Sequence, residues 1–506
     1  MDQRVTNLRE PALGEHRLKP NVIGPWGLAA LAIGITSPAM GLYALWGPMQ
    51  VAAGPITPLL FLAALAITLP TALSYASLNR YAPSAGGAAA WLWTTVHPAV
   101  GFLAGLIMMT YFVMVSVSQP LLFALFFRDL LAWAGLPVPE MTALVLGVAL
   151  QASLIGWICL RGAEASIKTT VRLMIVETAV VVALSATILA TKFFEPGAIT
   201  LAPLDPRQVT NGVAGFWAAM ILGVLAFCGF DVVSTAAEEA RAPSEFVPRA
   251  IVLTVIGVAL FWALNAWVLT ISTSHASVVE YNAQGLTAIT PIARTYWGAG
   301  NLIVILTAFT GLTAVYISCV QGASRIIFAL ARHRLLPSAL ATLAGEKRIP
   351  KNAILAVVGA CVVLDFASLL VLRDGLASFV WWSNGLVFFA TLTFMGVNIA
   401  NLLYFRRVRP DRYRVLRNLI VPVVGAIANL YLIYAAFFSS LWSAPFPTGR
   451  SVVIACLVLL VVQIATVLYV ASRRRELLAH GAPIGAELRS VTAEPRRMKT
   501  AAQEHR

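Results

Sequence analysis

Gly34-Ile35-Thr36-Ser37-Pro38-Ala39-Met40-Gly41 lies inside an apolar run of about residues 23 to 49, and its two glycines, proline and two hydroxyls make a poor helix interior. A later run, about 212 to 235, is interrupted in the same way by Ala226-Phe227-Cys228-Gly229-Phe230-Asp231. Either stretch alone reads as an ordinary kink, because membrane helices tolerate Pro and Gly where neighbours satisfy the freed carbonyls. Two at matching positions point to broken helices, whose unwound turns free backbone groups for a substrate and a coupling ion.

Matching positions require counting the spans. A helix that crosses ~30 Å of hydrocarbon needs ~20 mainly apolar residues. Windows of that kind lie at about 23 to 49, 56 to 78, 98 to 127, 141 to 160, 172 to 193, 212 to 235, 249 to 273, 301 to 330, 352 to 372, 377 to 405, 418 to 440 and 450 to 472. The two interruptions therefore fall in spans 1 and 6, five apart. The expected fold is an all-α membrane protein with twelve transmembrane helices: a five-plus-five inverted repeat of the LeuT type plus two C-terminal helices. The expected organisation is a cytoplasmic tail (1–21), a transport core (22–405, with repeats at about 22–195 and 211–405), spans 11 and 12 (406–473), and a C-terminal cytoplasmic tail (474–506) whose aperiodic, charged sequence predicts disorder.

Composition agrees. Of 506 residues 59% are apolar and 11% charged, against about 25% charged in soluble domains, and mean hydropathy is +0.82. The net charge of +14 does not point to nucleic acid, because the basic residues stand in short clusters between apolar runs. They sort by topology instead: of 36 Lys and Arg, only Arg128, Lys192, Arg207, Arg294, Arg373 and Arg450 fall on one face. The positive-inside rule then puts both termini in the cytoplasm and the protein in the cell (inner or plasma) membrane. The clusters at 405–417 and 472–475 read as topology signals and contacts to membrane lipid headgroups. Twenty polar residues precede the first apolar run, which argues against a cleavable signal. The five cysteines show no CxxC pair or zinc spacing, and there is no GxxxxGK[ST], so ATP coupling, cofactors, a metal site and enzymatic chemistry are not expected.

At four places the chain resembles the amino acid, polyamine and organocation transporter superfamily. Phe227-Cys228-Gly229-Phe230-Asp231 followed by residues 237–251 resembles its sixth-helix signature. Tyr75, Arg80, Pro83, Gly86 and Gly87 resemble the turn after its second helix, residues 161–172 the start of its fifth, and Ser324, Arg325, Ala331, Arg332 and Pro337 the end of its eighth. The usual Gly-Ser-Gly of the first helix is replaced by Ser37-Pro38-Ala39, more like the putrescine-importer branch. The resemblance implies a small-molecule substrate, an amino acid or amine, between the breaks. Its carboxylate would lie on amides near Ile35, Thr36, Ser37, Ala39 and Gly41. Its amine would lie near the carbonyls of Phe227 and Cys228, beside Gly229, with Phe227 and Phe230 as a gate or stacked on it; for a diamine, Tyr111 or Phe112 of span 3 would line the far end.

Glu177 is the most informative single residue, since an intramembrane carboxylate is costly and functional by default. It falls about one turn into span 5, where many members carry a lysine, and is expected to gain and lose a proton during transport or else to pair with an arginine. Asp231 suits a cation ligand, a partner for another span, or a cap on the second half of span 6. Thr310 and Thr313, with Ser318, offer hydroxyls for a sodium-like site or plain packing, leaving proton and sodium both open as the coupling ion. Glu238 and Glu239 need basic partners, expected to be Arg80, Arg325 or Arg332, as a cytoplasmic gate or a static anchor. Asp365 in span 9 has no partner legible in the sequence. Three functions stand against these features: a proton-coupled symporter for a small amino acid, an importer or exchanger of polyamines or other amines, and a membrane sensor or enzyme. The second needs an anionic contact at pocket depth; the third needs a catalytic constellation that is not seen.

Overall fold

The computed structural model describes residues 21–84, 86–136, 138–283, 287–332, 334–346, 348–438 and 449–473. Of the expected tails, 1–21 and 474–506, residues 1–20 and 474–506 lie outside the described residues. Among the described residues, twelve helices are long and apolar enough to span a membrane: Pro25–Ala53, Thr57–Tyr81, Pro98–Trp133, Glu140–Cys159, Ile167–Phe193, Gly212–Thr235, Pro243–Ser272, Ile289–Arg332, Lys351–Leu372, Gly375–Arg407, Leu416–Ile433 and Arg450–Arg473. They are spans 1 to 12. The face on which span 1 begins is the near face, and the opposite one is the far face.

Packing between the spans repeats itself in the way an inverted repeat demands. Span 1 packs on span 7 as span 6 packs on span 2, span 5 on span 8 as span 10 on span 3, and span 4 on span 3 as span 9 on span 8. Spans 2 and 7, and spans 3 and 8, pair across the two halves. A short helix, Gly87–Thr95, follows span 2 on the near face, and its counterpart, His275–Ala283, follows span 7 on the far face. Spans 11 and 12 lie outside this pattern, span 11 against spans 2 and 10 and span 12 against spans 3 and 10.

Buried amides and hydroxyls fasten span 11 to the core. Thr71 Oγ1 accepts from the Nδ2 of both Asn398 and Asn429, and Asn398 Oδ1 accepts from Ser74 Oγ (2.7 Å). Asn401 donates to Ser74 Oγ, and Asn418 donates to Asn401 Oδ1. In hydrocarbon such interhelical bonds replace the hydrophobic attraction that lipid cannot provide.

Both interruptions are real breaks. The helix that opens span 1 stops at Thr36; Ser37 takes φ +38°, and helical structure resumes at Met40 with a π-helical turn from Gly41 to Trp46. Span 6 stops at Phe227, and Gly229 takes φ +110° before a short helix, Val232–Thr235. The left-handed region that Gly229 occupies is readily open only to glycine. A Cβ there would also run into the Ile35 side chain, so each break is seated on the other.

Candidate functional site

The chain unwinds at Thr36–Met40 and Phe227–Asp231 because neither stretch can keep its i to i−4 ladder, and neighbouring spans take over the freed groups. Trp262 of span 7 donates its indole N–H to the Pro38 carbonyl at 2.9 Å. The same ring stands edge-on to Phe227, with centroids 5.2 Å apart, and lies against Gly41, where any side chain would collide with it. Trp262 thus holds both breaks, and nothing in the apolar sequence of span 7 marks it. Trp262→Phe keeps an aromatic ring but strands the Pro38 oxygen, and is expected to cost about 1 to 3 kcal/mol, read as earlier thermal unfolding of the purified protein; an unchanged melt would mean that the bond contributes nothing.

Glu177 lies deeper than the sequence places it, because the helix of span 5 begins at Ala163 and the carboxylate falls mid-span. It is fully buried and points at the first break, where Ser37 Oγ donates to its Oε2 at 2.7 Å and Met40 N donates to Ser37 Oγ at 3.2 Å. The amide of Ala39 lies close to the same carboxylate. Gly311 of span 8 makes the room, since a Cβ on it would overlap Glu177 Oε2. The partner of Glu177 is therefore a serine of the break and not an arginine, and its second oxygen, Oε1, has no hydrogen-bond partner.

Asp231 is held by two phenols. Tyr75 of span 2 donates to Oδ2 and Tyr111 of span 3 to Oδ1, each at 3.1 Å. Its side chain does not cap the helix that follows. Phe230 and Phe394 pack at 5.3 Å beside the same tyrosines, closing an aromatic collar around the carboxylate. Tyr111 therefore faces Asp231 and not the space between the breaks.

That space is a small pocket of about 70 Å³. Ile35, Thr36, Gly41 and Cys228 line it; Ser37, Ala39, Phe227, Gly229 and Phe230 do not. Spans 3 and 10 add Ser118, Gln119, Phe379 and Ser383, which the sequence did not single out because each is an isolated polar or aromatic residue in a long apolar run. Among the described residues no carboxylate and no basic side chain borders it. Thr310 Oγ1 bonds back to Thr307 O in its own helix (2.8 Å), and neither Thr310 nor Thr313 reaches Glu177 by a hydrogen bond among the described residues.

Towards the far face the pocket meets a cavity of about 870 Å³, with Ala44, Leu122 and Phe379 bordering both. Arg128, Asp129, Asn211 and Asn282 stand on its lining, and most of the remainder is apolar. The near side is shut. Val22 and Ile23 amides bond to Glu239 O, and Arg241 N bonds to Ile23 O at 2.8 Å, tying the entry to span 1 across the exit of span 6. Beneath that strap Glu239 pairs with Arg325, both buried, and Glu238 pairs with Arg332 at 3.1 Å. Arg80 is exposed and bonds to neither glutamate.

The family model described as Amino acid permease matches residues 23–462. Branched-chain amino acid permease BcaP of Bacillus subtilis (strain 168) is 24% identical over 83% of this chain and 88% of its own. Low-affinity putrescine importer PlaP of Escherichia coli (strain K12) is 25% identical over 73% and 78%. L-methionine/branched-chain amino acid exporter YjeH of the same strain is 23% identical over 74% and 82%.

Proposed function

Because the chain belongs to the amino acid permease family and is a membrane transporter rather than an enzyme, we propose that it carries a small neutral amino acid with an apolar side chain, by alternating access, with Glu177 coupling transport to protons. The observation that carries the substrate class is the uncharged pocket between the breaks. Half-helix ends there offer amides to a carboxylate and carbonyls to an ammonium group, while Ile35, Val115, Leu225 and Phe379 present an apolar wall to the side chain. A diamine needs a second anion at pocket depth. Asp231 is occupied by Tyr75 and Tyr111, Glu177 is turned to Ser37, and neither borders the pocket.

The Lys and Arg asymmetry supports a cytoplasmic near face in the cell membrane, so the chain is drawn shut to the cytoplasm and open outward. Residues 22–195 and 211–405 are read as the two repeats. The Glu239–Arg325 and Glu238–Arg332 pairs are read as the inner gate, which separates when the site turns inward; sodium is the alternative to the proton as coupling ion.

Uptake into liposomes holding the purified protein tests the substrate. Labelled alanine, leucine and putrescine are offered with and without an inward proton gradient. Leucine or alanine uptake that rises with the gradient is expected; gradient-driven putrescine uptake without either amino acid would overturn the reading.

A further inference from the structure

Behind span 8, away from the breaks, a second group of buried polar side chains has no use in the scheme above. Asp365 of span 9 is fully buried, and neither of its carboxylate oxygens has a hydrogen-bond partner. Facing it from span 8 is Tyr316, also buried, whose hydroxyl lies beside the Cys361 thiol and finds no oxygen or nitrogen partner. Cys361 stands one turn before Asp365 on the same side of span 9; Cys319 of span 8 and Cys159 of span 4 complete the ionisable groups nearby. Spans 3 and 10 also pack on span 9 but bring no charged group to Asp365.

Native interiors seldom leave so many polar atoms unpaired in one place; such a group marks a bound species and its water. An ionised carboxylate in this wall has no donor to offset its desolvation, so it holds charge only with a cation beside it. One carboxylate with neutral oxygens suits a monovalent cation, whereas a divalent ion recruits more oxygen ligands and charge. Among the described residues no group of three or more His, Cys, Asp or Glu is arranged to hold a metal.

The place is separate from Glu177. Gly311 faces Glu177, and Tyr316 is five residues further along span 8, roughly 140° around the helix and so on its other flank. We propose that spans 4, 8 and 9 enclose a second monovalent-cation site, built on Asp365 and Tyr316, which takes a proton or an alkali cation. Span 8 is then wedged between two cation-responsive carboxylates, one at each flank.

The test is thermal unfolding of the full-length protein in detergent, which needs no knowledge of the substrate and does not depend on the proposed transport reaction. One arm titrates sodium, lithium or potassium chloride at fixed pH, with choline chloride holding ionic strength; the other lowers pH in choline chloride alone. In a Glu177→Gln background, where the other carboxylate no longer responds, the protein is expected to melt higher as the cation binds in one of the two arms, and the added change Asp365→Asn to lose that rise. Tyr316→Phe, which keeps the ring, is expected to shift the midpoint to about tenfold more cation. A melt that responds in neither arm, or a rise that survives in folded Glu177→Gln/Asp365→Asn, overturns the site. Should Asp365→Asn not fold, an unchanged midpoint in Tyr316→Phe does the same.

Discussion

Glu177→Gln is expected to abolish proton-driven accumulation while leaving substrate exchange intact. An inward gradient of about one pH unit stores about 1.4 kcal/mol per proton, enough for about tenfold accumulation of a co-transported substrate. Wild-type liposomes should approach that ratio, and the variant should stop near a ratio of about one. The substitution is mild in every other respect. Glutamine has the shape of the acid, keeps an oxygen for the Ser37 hydroxyl at the break, and adds no bulk against Gly311, where none could be accommodated. What it removes is the ability to take and release a proton beside Met40 and Ala39 as the break rearranges. Counterflow of labelled against unlabelled substrate, which moves no net proton, is the control. Accumulation by Glu177→Gln equal to that of wild type would remove Glu177 from coupling and return the question to sodium or to other carboxylates.

The membrane spans were legible because a bilayer admits few solutions: each backbone group must be satisfied within its own helix, so runs of apolar residues map directly onto spans. The breaks at Pro38 and Gly229 were legible for the complementary reason, that these residues cannot continue the ladder at those places. The pairing of spans 1 to 5 with 6 to 10 followed from counting, and the matched packing of spans 1 on 7 and 6 on 2 agrees with it. Side-chain direction was not legible. In a helix apolar on all sides, nothing tells that Tyr111 and Ser118, seven residues apart on one face of span 3, meet Asp231 at one depth and the pocket at another. Likewise Trp262 reads as one more bulky apolar residue until the Pro38 carbonyl is found beneath its indole. The depth of Glu177 was missed because the helix starts before the apolar run does, so charged residues ahead of the run concealed its first turns.

Arg325→Met should be the most destabilising single substitution of the near face, at about 3 to 5 kcal/mol, because it leaves Glu239 buried without its counter-ion. The Arg325 side chain is 2% exposed and that of Glu239 8%, so little solvent replaces the lost partner. Arg332 and Glu238, at 14% and 16%, should matter less when separated, and the solvent-facing Arg409–Asp411 pair hardly at all. The double variant Arg325→Met/Glu239→Gln removes both charges and should recover most of the loss, which a double-mutant cycle of melting measurements would show. A further feature separates a gate from an anchor. Both Nη atoms of Arg325 are buried without partners, so the pair is incompletely satisfied and less costly to part than a fully bonded one. Cys228 borders the pocket and carries a free thiol. If the pair is the inner gate, a membrane-impermeant maleimide applied from the near face should label Cys228 faster in the double variant than in wild type. If it is an anchor, stability returns and Cys228 stays shielded, because the strap from Val22 and Ile23 to Glu239 closes that face by backbone bonds alone.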